Sequence, residues 1–225
     1  MSIHSEILRY IDAKTKPTFS GLKEISSFQR VLTDWDISRS VEWILDRCLE
    51  LEASDPSIGQ RAASSFLKFL ATTKLKNRES LELIAWICIS LSLKTRGDAV
   101  STEQLKSAME SRFTVASIVM TELFITKQIR WDVNTPTLYE VQYLLLSPLK
   151  ETDASLIMDG SKEFNAKCYT EYTRLEQGLV VLAMGFILRQ MQKMSLKSSH
   201  EEFLSIYQVQ FSEEIALSKK LFNRG

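Results

Sequence analysis

Residues 81–94, LELIAWICISLSLK, carry ten apolar side chains in the thirteen positions from Leu81 to Leu93 and then stop at Lys94. A helix of that length that is apolar all round has no face to offer water, so other helices must enclose it. A second crowded stretch runs from about Leu175 to Met194, where Leu179, Val180, Val181, Leu182, Ala183 and Met184 are consecutive and Phe186, Ile187 and Leu188 follow. Each predicts the centre of a helical bundle, with the shorter amphipathic segments packed around it.

Those segments keep helical spacing. Ile3, Ile7, Leu8 and Ile11 make one stripe from about Ser2 to Ala13, which Lys16-Pro17 is expected to end. Leu22, Ile25, Phe28, Val31 and Leu32 make another from Ser20 to Trp35, before capping material at Asp36 to Arg39. Val41, Ile44, Leu45, Cys48 and Leu49 define a helix from Ser38 to Leu51, and Asp55-Pro56-Ser57 turns into one carrying Ala62, Ala63, Phe66, Leu67 and Leu70. After 81–94, Arg96-Gly97-Asp98 is a helix exit, a helix is expected from Ser101 to about Ser111, and another from Thr114 to about Ile129. Thr135-Pro136 starts a helix over 137–147, the polar stretch 150–162 is read as a link between two halves, and helices over 198–209 and 212–222 close the chain. The expected organisation is an amphipathic preface over 1–36, a bundle over 37–148 and a second, abbreviated bundle over 149–225.

Seven Gly and four Pro in 225 residues leave little turn chemistry for hairpins, so the fold class is all-α. Lys plus Arg equal Asp plus Glu at 28 each, which removes the electrostatic case for direct nucleic-acid or membrane binding and points to protein partners. Cys48, Cys88 and Cys168 are odd in number and sit in apolar or amphipathic segments, as reduced thiols do. With charged residues in MSIHSEILRYIDAK and no apolar run of membrane-spanning length, an intracellular, reducing setting in nucleus and cytoplasm is expected.

Candidate catalytic chemistry is sparse. His4 and His200 lie near opposite ends, which leaves no His-based triad or HExxH zinc site, and the chain has neither a G-x-G-x-x-G turn nor a P-loop. Glu50, Glu52 and Glu82 read as a solvated face, and the basic connector Lys74, Lys76, Arg78 as a solvated loop. No enzyme, cofactor or metal is expected.

The order of segments from about Ser38 to Leu146 resembles the cyclin box, a five-helix bundle around a buried third helix. LSLK at 91–94 is similar to the ending of that third helix, with Leu93 where serine is usual. Glu122, Leu123, Ile129, Trp131, Asp132, Val133, Pro136 and Thr137 follow the order of the fifth helix and the run after it. The resemblance implies a cyclin fold whose Lys94 and Glu122 sit side by side and anchor the regulatory helix of a cyclin-dependent protein kinase, with Leu91 and Leu123 excluding water around them. Trp131 is read either as a further partner anchor or as a core residue closing the bundle. The function implied is a regulatory subunit that binds and activates such a kinase in the cell cycle or in transcription.

The chain also departs from the family. SRSVEWILDRCL keeps Arg39 and Trp43 but not the M-R-x-x-L-x-x-W spacing of the family's substrate-docking groove, and SSFLKFLA lacks the usual Asp-Arg. Regulatory tails are not recognised, which suits a transcriptional or constitutive cyclin or one captured by a virus. The alternative is a helical adaptor of the same fold that binds transcription machinery without a kinase.

Overall fold

A computed structural model describes residues 3–51, 55–95, 107–109 and 112–222. Every regular element among them is helical. The helix expected from Ser101 to Ser111 and the exit at Arg96-Gly97-Asp98 lie outside or largely outside the described residues. The chain forms two compact units, one of Gly21–Thr135 with Tyr169–Thr173, the other of Met1–Ser20, Pro136–Cys168 and Arg174–Gly225.

The first unit opens with a 3-10 turn, Leu22–Glu24, and the short helix α2, Ile25–Gln29, that follow α1, Ile3–Phe19. Helix α3, Asp34–Glu50, starts four residues before the expected Ser38. Thr33 caps it, accepting from the Asp36 amide while the Asp36 carboxylate accepts from the Thr33 amide at 2.9 Å. Asp36, read as capping material, makes that reciprocal capping box from inside the helix, and Trp35 belongs to α3 and is exposed. Helices α4, Ser57–Thr72, and α5, Ser80–Lys94, form the centre, and α6, Val115–Gln128, packs against both.

As the pattern predicts, α5 is buried from Ile84 to Leu93. Trp86 meets Trp43 of α3 edge to face at 5.2 Å, and the Ser92 hydroxyl donates to the Ile58 carbonyl of α4 at 2.6 Å. The unexpected partner is α4, buried without a break from Ser57 to Leu70 although it carries Gln60, Arg61, Ser64, Ser65 and Lys68. Three of its polar side chains find partners far along the chain. Arg61 donates to Asn134, the Ser64 hydroxyl reaches the Tyr169 hydroxyl at 3.5 Å, and Lys68 donates to the Asp132 carboxylate at 2.7 Å and to Thr135. Thr135 is therefore a ligand of Lys68 and not a helix cap.

The second unit is centred on α10, Leu179–Lys193, whose residues from Leu179 to Leu188 are all buried. Around it lie α7, Leu138–Leu146; α8, Glu151–Asp159; α9, Ser161–Thr170, whose last two residues fall in the first unit; α11, Lys197–Tyr207; and α12, Ser212–Phe222. Thr137 and Glu140 make the capping box of α7, two residues beyond the expected start. The stretch 150–162, read as a link, is mostly helix: Ile157 anchors α8 in the core and its polar remainder faces water. Helix α1 packs on α7 and α10 and runs through Pro17, giving up one backbone bond instead of ending there. The compact units divide at Thr135/Pro136, and the first helix groups with the C-terminal ones.

Close packing in this unit depends on Gly185. A Cβ there would stand 2.3 Å from Cε2 of Phe222, so the α12 ring occupies the space a side chain would fill. Gly185→Ala is expected to cost about 1–3 kcal/mol by overpacking, and most of that loss should vanish in a Phe222→Ala background. Urea denaturation of the four proteins in this cycle checks it, and additive losses would rule out the steric account.

Cys48, Cys88 and Cys168 are buried free thiols. Burial pushes the Cys48 thiol up to about 12 and raises Cys88 further, which keeps both protonated and poorly nucleophilic. Among the described residues no helix is long and apolar enough to cross a membrane, and no group of acidic, His and Cys side chains is placed to hold a metal.

Candidate functional site

Helices α5 and α6 bring Lys94 and Glu122 together from 28 positions apart. The Lys94 ammonium donates to both carboxylate oxygens of Glu122, at 2.6 and 2.8 Å. Lys94 ends α5, where the helix dipole favours a cation, and the Thr114 hydroxyl caps α6 by accepting from the Ser117 amide at 3.1 Å. Both side chains are partly exposed, so as a structural ion pair they contribute only about 0–1 kcal/mol. The pair is correspondingly inexpensive to rearrange around a partner's hydrogen-bonding groups.

The surroundings are apolar on the solvent side. Helix α6 uses Ile118 and Ile125 in the core, yet Val115, Val119, Met120, Leu123 and Phe124 are exposed, Met120 to 65%. Residues 115, 119 and 123, like 120 and 124, are four apart and lie in adjacent rows on one side of the helix. Phe124 still packs edge to face on Phe69 at 5.8 Å, which fixes its ring while leaving almost half of it open. Contiguous exposed apolar surface beside a defined ion pair is a feature of docking sites, not of solvated helices.

The other sequence-derived candidates fall differently. Leu123 lies in the exposed patch, whereas Leu91 is buried, 7% exposed. Trp131 does not close the core: it is 66% exposed, in a tight turn where Arg130 and Trp131 have φ of 55° and 61°. The turn holds the α6 end through Trp131 N–H donating to Thr126 O at 2.8 Å. Val119, Met120 and Phe124 were not singled out by sequence. The signal available was an excess: VASIVMTELFI has more apolar residues than one buried face can use.

Arg39 and Trp43, kept from the docking run, are both occupied within the unit. Arg39 pairs with Glu42 at 2.7 Å, and Trp43 holds Trp86. A groove of about 440 Å³ lined by Trp35, Arg39, Trp43 and Arg78 lies beside them. Arg78 of the basic connector pairs with Asp36 and stands over the Trp35 ring at 5.8 Å, so it is ordered rather than simply solvated. The Glu82 carboxylate, read as solvated, accepts two bonds from Arg112 at 2.6 and 2.8 Å.

No protein-family profile matches the chain. In sequence it is 23% identical to G1/S-specific cyclin-D1 of Rattus norvegicus over 168 residues, 73% of this chain and 56% of that protein. The chain therefore spans little more than half of that relative's length. In structure it is similar to a viral cyclin from herpesvirus saimiri, with a TM-score of 0.73, 14% identity and 96% of each chain covered. The fold is the cyclin fold. The likeness in sequence and in fold is to cyclins.

Proposed function

We propose that this protein is a regulatory subunit that binds a cyclin-dependent protein kinase through the α5/α6 surface. The observation that carries the reading is the Lys94–Glu122 pair set beside the exposed row Val119, Met120, Leu123 and Phe124. Apolar contacts with the kinase's mobile helix exclude water from the pair, and in that lowered dielectric its ammonium and carboxylate hydrogen-bond the partner's backbone more strongly than they would in water. Docking biases the helix toward the position that completes the kinase's own Lys–Glu ion pair, which phosphoryl transfer requires. Activation then needs no chemistry from this chain, no cofactor and no metal. The setting is intracellular and reducing, nuclear and cytoplasmic, in keeping with three buried thiols.

The test is a pull-down from cell extract with wild-type protein beside a Lys94→Ala/Glu122→Ala variant, reading co-purified kinases and their activity. A kinase held by the wild type and weakened about tenfold in the variant, a loss of about 1.4 kcal/mol, is the expected outcome. Recovery of transcription factors without a kinase, indifferent to both substitutions, would replace this reading with the adaptor.

A further inference from the structure

The second unit holds a groove of about 850 Å³ with an unusual lining. Four cations from three elements border it: Lys167 on α9, Arg174 in the 3-10 segment Tyr172–Gln177, and Arg189 and Lys193 on α10. Glu163 is the one carboxylate among the residues that line it. In a chain with 28 positive and 28 negative side chains, four against one is a local excess of positive charge. Arg189 and Lys193 are one turn apart on the same face of α10, both exposed. Lys167 and Arg174 also interact with groups within the protein.

The floor is aromatic. Phe164 stacks on Phe186 with centroids 4.7 Å apart and planes at 22°, and Phe222 lies 5.7 Å from Phe164. Phe186 is buried, but Phe164 and Phe222 are only half-buried and present ring surface to the groove. The volume suits several side chains rather than a single small ion.

We propose that this groove docks an acidic peptide segment of a partner protein, its carboxylates on Arg189, Lys193 and the other rim cations and one apolar or aromatic side chain on Phe164 and Phe222. Charge complementarity selects the acidic partner, because guanidinium and ammonium groups bind carboxylates with charge-assisted hydrogen bonds. The limited charge, not the ring floor on which bases also stack, selects a peptide over a nucleic acid. Phosphate backbones are held by an extended basic surface, whereas here the positive charge is local, the chain is neutral overall and Glu163 interrupts the rim. The inference does not rest on kinase binding.

A phage-displayed library of random twelve-residue peptides, selected on the full chain and counter-selected on Arg189→Glu/Lys193→Glu, tests it. Both residues are exposed, and an unchanged circular dichroism spectrum and melting temperature show that the variant is folded. The expected consensus pairs Asp or Glu with a central aromatic or large aliphatic residue. By fluorescence anisotropy the selected peptides should bind the variant at least about tenfold more weakly, and should weaken about tenfold in wild type on going from 50 to 500 mM salt. A consensus without acidic residues, equal binding to both proteins, or tighter binding of a twenty-nucleotide oligo-dT than of any selected peptide would overturn the proposal. Kinase co-purification with Arg189→Glu/Lys193→Glu should match wild type, so failure here and failure of the α5/α6 reading are separately visible.

Discussion

Val119→Asp/Met120→Asp is expected to abolish kinase association while leaving the protein folded. Both side chains are exposed on α6, so carboxylates there remain hydrated in the free protein, and stability should change by no more than about 0.5 kcal/mol. In a complex the same carboxylates would be stripped of water against an apolar partner surface. Desolvating an unpaired charge costs several kcal/mol, so at least about a hundredfold loss of affinity follows, about 2.7 kcal/mol. This exceeds the effect of Lys94→Ala/Glu122→Ala, which removes hydrogen bonds but adds no buried charge. Titration calorimetry with the kinase identified by pull-down measures it. Unchanged affinity would place the interface elsewhere, and a lowered melting temperature would mean that α6 needs these residues for its own packing. Trp131→Ala separates the two roles read for that residue: an exposed ring in a turn outside the contact leaves both stability and affinity near wild type, and an anchor costs affinity alone.

What the residues revealed in advance depended on whether the deciding partner was local. The buried helix 81–94 and most of the stretch 175–194 were legible because apolar side chains on every face have one solution. The Lys94–Glu122 pair was legible only through the cyclin-box resemblance, since nothing in composition or spacing links positions 28 apart. Helix α4 was placed by its apolar residues, but the burial of its polar ones was not legible. Its polar side chains look like a solvated face, but their partners Asp132, Asn134 and Tyr169 lie 64, 73 and 105 positions away and fold over it. The core reading of Trp131 failed for a related reason: the ring is exposed in a turn of two consecutive left-handed residues, Arg130 and Trp131, neither of them the glycine that normally announces such a turn. The stretch 150–162 shows the converse, where polar composition hid a helix with one fully buried side chain, Ile157.

The same long-range contacts carry the largest expected effect on stability. Lys68 is 8% exposed, and its ammonium is held by the Asp132 carboxylate at 2.7 Å, the Asp132 carbonyl at 3.2 Å and the Thr135 hydroxyl. Asp132→Ala removes the negative charge and keeps the two neutral acceptors, so a buried cation loses its counter-ion. Breaking a buried pair costs about 3–5 kcal/mol, and because the Asp132 side chain is about one-third exposed the expected loss lies just under that range, about 2–3 kcal/mol. In a chain of this size that lowers the melting temperature by about 5–10 °C. Lys68→Met is expected to cost less, because the stranded carboxylate can turn toward water while the methionine fills the space under the 131–135 turn. Adding Lys68→Met to Asp132→Ala should therefore restore part of the lost stability, a negative coupling that an ordinary surface pair does not show. Differential scanning calorimetry on the wild type, both single variants and the double variant decides it: if Asp132→Ala loses under about 0.5 kcal/mol, the pair is solvated and α4 is not locked by charge. Because Lys68 ties α4 to the turn that follows α6, the Asp132→Ala loss should also loosen the α6 C-terminus, seen as faster amide hydrogen exchange at Ile129 and Trp131, whose N–H groups donate to Ile125 O and Thr126 O.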